Sequence, residues 1–178
     1  MGHGTTQAIV LVGPMGAGKS SVGRRVAREL GVAFTDTDSL VVREHGPIAE
    51  LFAKEGEARF REVERSAVIE ALGKGGVVAL GGGAVLDPDT RHDLARHRVV
   101  LLTVAPEIVR SRIQGDARPL LASDEDPVAR WQKIMSERKG IYEALADITF
   151  DTSTGPLAHV VSDIVTWARE GSSTEGDA

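Results

Sequence analysis

Eight consecutive residues, Gly13-Pro14-Met15-Gly16-Ala17-Gly18-Lys19-Ser20, carry the strongest chemical signal in this chain. Their spacing is Gly-x4-Gly-Lys-Ser, the pattern of a phosphate-cradling loop. Glycines let backbone N–H groups turn inward around phosphate oxygens, and a following helix adds the positive end of its dipole. Lys19 can reach β- and γ-phosphates, and the Ser20 hydroxyl can bind Mg²⁺. Gly16, Ala17, Gly18 and Ser21 complete the expected nucleotide contacts. The bland alternative is a chance Gly-rich turn at a helix start. An apolar run at 8–12 before the loop and an amphipathic stretch at 19–30 after it argue against that.

Such a loop serves kinases, GTPases and motor ATPases alike. No Asn-Lys-x-Asp guanine-reading motif occurs. No predicted strand ends in the acidic residue that usually supports the metal: the third runs into Gly81 and the fourth into Thr103. Asp36 and Asp38, after the second apolar run, are the nearest candidates for that partner. Either would also serve as a helix cap, the plain structural reading of the pair.

The elements that position these residues follow from apolar periodicity. Strands are predicted at 8–12, 32–35, 77–80, 99–104 and 148–150. Helices are predicted at 19–30, at 39–45 and 48–53 with Gly46-Pro47 between them, and at 57–72, 89–97 and 106–113. One more starts at Asp126-Pro127 and runs toward Ala146, and the last spans 157–167. Strands alternating with helices imply an α/β fold, a parallel five-stranded sheet covered on both faces in three layers. Residues 1–170 read as one domain, 114–126 as a polar loop and 171–178 as a disordered tail.

Composition removes other classes. The absence of cysteine excludes zinc-thiolate and iron–sulfur sites and thiol catalysis. A formal charge of -5 with no dense Lys/Arg run speaks against a nucleic-acid partner. No apolar stretch approaches a membrane span, and residues 1–7 are too short and polar for a signal peptide. A soluble, cytoplasmic protein is expected. No extended apolar face is left over, which favours a monomer. His45, His92 and His97 lack metal-ligand spacing and read as surface residues.

Further motifs stand in a fixed order. They are Asp36-Thr37-Asp38, Phe60-Arg61-Glu62-Val63-Glu64, Gly81-Gly82-Gly83-Ala84, Arg118-Pro119-Leu120-Leu121, and Arg138 with Tyr142. With the phosphate loop, this series resembles the shikimate kinases from about residue 9 to 167. The resemblance implies a nucleoside-monophosphate-kinase-type fold with an acceptor-binding region at about 37–64 and a lid at about 114–126. It implies ATP and Mg²⁺ as cofactors, shikimate as the small-molecule partner, and phosphorylation of its 3-hydroxyl on the route to chorismate and the aromatic amino acids.

Under that resemblance Asp36 would hold Mg²⁺ through water, and Asp38 would bind acceptor hydroxyls and take the proton of the attacking one. Arg61 and Arg138 would clamp the acceptor's carboxylate, with Glu64 orienting Arg61. Gly82 and Gly83 would let the backbone approach the substrate; a simple tight turn is their alternative. Arg118 would close over the phosphates, and Arg112 or Arg110 would stack on adenine. Two departures stand out. Ala79 replaces a hydroxyl found in some members, and Lys139-Gly140-Ile141 replaces a more usual apolar, proline-containing stretch. A gluconate or nucleotide kinase of the same fold is the nearest rival. A non-catalytic ligand sensor is the rival of another class, although such domains typically lose the lysine, the acceptor aspartate or the lid arginine.

Overall fold

The structure, a computed structural model, describes residues 6–113 and 126–172. Five strands form one sheet in the order β2-β3-β1-β4-β5. They are β1 (Ile9–Val12), β2 (Phe34–Asp36), β3 (Val77–Ala79), β4 (Arg98–Thr103) and β5 (Ile148–Asp151). All pairs are parallel; Ile9 of β1 faces Val77 on one side and Arg98 on the other. β1 and β3 are buried throughout, so their sequences are unbroken apolar runs. Two apolar clusters pack on the two faces of the sheet.

The helices are α1 (Lys19–Leu30), α2 (Thr37–His45), α3 (Ile48–Lys74), α4 (Pro88–Leu94), α5 (Pro106–Ile113), α6 (Pro127–Leu145) and α7 (Leu157–Ser172). α3 contains the two helices expected at 48–53 and 57–72, with non-helical backbone at Gly56 (φ 82°) between them. A 3-10 turn at Ala84–Leu86 had no counterpart in the periodicity.

Several boundaries differ from expectation for local reasons. β2 starts at Phe34 rather than at residue 32 because the Val32 N–H bonds back to the Ala27 carbonyl, closing α1 behind Gly31. α4 stops at Leu94, and residues 95–97 continue as single turns. His97 is not the surface residue expected. It is half-buried, and its Nδ1 accepts the Ala8 N–H at 2.9 Å. Burial lowers its pKa, which favours the neutral imidazole that this acceptor role needs. α7 extends through Ser172, past the expected tail boundary at 171. Arg98 donates to the Trp167 and Ala168 carbonyls in that last stretch and stacks on the Trp167 ring.

Candidate active site

The phosphate loop, the Asp36-Thr37-Asp38 segment and the Gly81-Gly82-Gly83 loop leave the carboxyl ends of β1, β2 and β3, where parallel sheets place their ligands. The phosphate loop follows β1, which lies between β3 and β4. Gly16 and Gly18 have φ of 82° and 89°, values that other residues adopt only with strain. Gly18 is the N-cap of α1 and has no side chain to occupy the helix start, and no acidic residue sits in the first turn. The N–H groups of a helix start and the positive end of its dipole there suit an anion. Lys19 Nζ donates to the Gly13 and Pro14 carbonyls at 2.8 and 3.0 Å, lying along the loop it would serve.

Asp36 ends β2 and caps α2, accepting the Ser39 N–H at 3.1 Å through one carboxylate oxygen. The other oxygen accepts the Ser20 hydroxyl in a short contact. Capping and the functional placement therefore coexist in one side chain. Asp38 sits in the first turn of α2, on the wall of the same cleft. This cleft, of roughly 630 Å³, is lined by Gly16, Gly18, Lys19, Ser20, Ser21, Asp36, Asp38 and Arg112, among others. Among the described residues no group of three or more His, Cys, Asp or Glu could cage a metal. A hydroxyl beside a carboxylate fits Mg²⁺, which takes few protein ligands and fills its octahedron with water and phosphate oxygens.

The acceptor candidates meet around Gly81-Gly82-Gly83. None of the three has positive φ, so no turn demands glycine there. Room does. A Cβ on Gly81 would lie 2.6 Å from Asp38 Oδ1 and 3.0 Å from Glu64 Oε2. One on Gly83 would meet the Arg61 guanidinium, with its central carbon at 2.8 Å. Arg61 Nη1 donates to Glu64 Oε1 at 2.8 Å, as the i,i+3 spacing suggested. Glu64 is only 3 % exposed, and burial raises its pKa. Arg61 opposes that rise, the Asp38 charge adds to it, and Arg138 opposes it again.

Arg138 is also buried, on α6, which runs unbroken through Lys139-Gly140-Ile141. Gly140 has open space where a Cβ would be. Tyr142, four residues on, donates its hydroxyl to the Gly82 carbonyl at 2.6 Å. The Thr37 hydroxyl accepts the Gly81 N–H at 2.9 Å. These two bonds pin the glycine loop from both sides. Neither role was visible from composition or spacing.

The two adenine candidates have other partners. Arg112 donates to the Gly16 carbonyl and to both oxygens of Thr152, fixing its guanidinium at the cleft wall. Arg110 makes a two-pronged pair with Asp126, both contacts at 3.1 Å, and so faces the start of α6 rather than the cleft. Arg118 and the rest of the expected lid up to residue 125 lie outside the described residues.

A phosphate loop on a parallel sheet, an acidic pair where β2 passes into α2, and a corner of buried arginine and carboxylate beside them define a P-loop small-molecule kinase. Residues 15–169 match the family model described as shikimate kinase. The chain is 50 % identical over 141 residues to the shikimate kinase of Streptomyces coelicolor, covering 78 % of this chain and 81 % of that one. It is 45 % identical over 167 residues to that of Geobacter sulfurreducens, covering 91 % of both. Among solved structures, the shikimate kinase from Acinetobacter baumannii in complex with shikimate superposes with a TM-score of 0.88 at 35 % identity, covering 94 % of this chain and 95 % of that one. A gluconokinase from Sinorhizobium meliloti shares the fold, with a TM-score of 0.64 at 22 % identity. The chain belongs to the shikimate kinase family.

Proposed function

We propose that this protein transfers the γ-phosphoryl group of ATP to the 3-hydroxyl of shikimate, with the labour divided between the two halves of the site. The observation that carries this reading is the convergence of Asp38, Arg61, Glu64 and Arg138 on one glycine loop beside the phosphate cleft. The backbone of residues 16–21 and Lys19 bind the phosphates. Ser20 and Asp36 would hold Mg²⁺, Asp36 through water. That ion, when bound, neutralises charge on the β- and γ-phosphate oxygens.

Arg61 and Arg138 grip the acceptor's carboxylate through paired N–H donors, and Glu64 keeps Arg61 turned toward it. Gly82 and Gly83 border the bound ring. Asp38 accepts the proton of the 3-hydroxyl as that oxygen attacks phosphorus. The bond to the β–γ bridging oxygen breaks, and ADP leaves with the electron pair. Arg118 supplies positive charge over the transferring group. Arg112, held beside the phosphate loop, borders the nucleotide. A cytoplasmic monomer is the form this reading assigns.

A coupled ADP-release assay with shikimate, gluconate, AMP or no acceptor tests the reading. Turnover is expected with shikimate alone; comparable rates with gluconate or AMP would overturn it.

A further inference from the structure

The phosphate loop has carbonyls as well as N–H groups, and a carbonyl turned inward would repel a phosphate. Each one is held by a donor. Lys19 Nζ takes those of Gly13 and Pro14. Arg112 takes that of Gly16 at 2.9 Å, and the Thr152 hydroxyl that of Ala17 at 2.8 Å. The Gly18 carbonyl is used inside α1, by the Val22 N–H. The Met15 carbonyl is taken by the indole N–H of Trp131, at 2.8 Å.

These holds differ in permanence. Lys19 must swing from its carbonyls to reach phosphates, so its two bonds are exchanged when nucleotide enters. Trp131 has no such alternative task. Trp131 is 3 % exposed and belongs to the apolar cluster that also holds Ala17, Val109, Ile113 and Val128. It reaches the loop from α6, seven residues before Arg138 and eleven before Tyr142. Two and three helical turns separate these positions, so all three side chains lie on one stripe of the helix. One rigid element therefore carries a brace for the nucleotide loop and part of the acceptor corner.

We propose that Trp131 is a positioning residue for the nucleotide: its indole N–H keeps the Met15 carbonyl turned outward, so that the loop N–H groups face the phosphates while Lys19 moves. The inference rests on the reading of residues 13–20 as the nucleotide loop.

The direct test removes the N–H and keeps the ring, by placing benzothienylalanine at position 131; Trp131→Phe is the encoded counterpart. Loss of one buried hydrogen bond is expected to raise the Kd for ADP and the KM for ATP roughly fivefold to fiftyfold, with the KM for shikimate changed less than about twofold. The indole ¹H–¹⁵N resonance of Trp131 in the wild type is expected to shift on saturation with ADP, whereas that of Trp167 stays in place. A folded benzothienylalanine protein that binds ADP as the wild type does would overturn the proposal, and so would an unmoved Trp131 resonance. A wild-type protein that fails to bind ADP would overturn the nucleotide reading and this proposal with it.

Discussion

The nucleotide loop and the acceptor corner reach their order by opposite routes. Residues 13–20 form one continuous segment whose shape is set by glycine backbone at positive φ and by donors that hold its carbonyls. The acceptor corner draws Asp38 from α2, Arg61 and Glu64 from α3, the glycines from the loop after β3, and Arg138 from α6. Its order is electrostatic. Two carboxylates and two guanidiniums sit together, and Glu64 is buried at the cost of a raised pKa. The loop depends on its own glycines and on a few single donors from outside it. A corner assembled from four elements is sensitive to the room each side chain is given, which explains why its glycines carry ordinary φ values and yet no Cβ.

The sharpest way to break this contrast is to remove a charge from the corner while leaving the loop alone. Asp38→Asn keeps the shape and deletes the base. The turnover rate is expected to fall at least about a hundredfold, as loss of a general base typically does, with little change in ATP affinity. Steady-state kinetics with both substrates varied checks this. An equal loss of ATP affinity would mean that Asp38 belongs to the nucleotide half.

A smaller effect is expected from Gly83→Ala. The backbone there, at φ −96°, accepts alanine without strain. The new methyl would meet the Arg61 guanidinium, the far end of a flexible side chain, so the arginine should yield and the fold should not. The KM for shikimate is expected to rise about tenfold, in keeping with a weakened charge-assisted bond, while the melting temperature and the KM for ATP stay near wild type. A fall in melting temperature with unchanged KM would assign Gly83 to the turn instead.

The same contrast decided what could be read in the sequence. The phosphate loop is contiguous, so its type and spacing were enough to place Lys19, Ser20 and α1. The strands were legible because burial on both faces leaves unbroken apolar runs, as at Ile9–Val12. The corner was legible only through the order of its motifs, since Arg61 lies in a charged stretch that by itself looks like a solvated helix face. Braces that use a single neutral donor or acceptor were invisible. Trp131, Thr152 and His97 each satisfy a backbone atom far away in sequence, and no local pattern announces such a partner. Arg110 and Arg112 could not be told apart by counting, yet their partners separate them: Asp126 for one, the phosphate loop and Thr152 for the other.

In the proposed function Arg61 and Arg138, from distant helices, grip one carboxylate. The direct measurement is kcat/KM for shikimate against its carboxylate-esterified analogue, in the wild type, Arg61→Ala and Arg138→Ala. The wild type is expected to prefer shikimate by at least about tenfold to a hundredfold, the worth of a charge-assisted pair. Each alanine variant should lose most of that preference with its KM for ATP intact, and Arg138→Lys should recover it only in part, because an ammonium lacks the planar fork. Equal use of the ester and shikimate by the wild type would contradict the clamp.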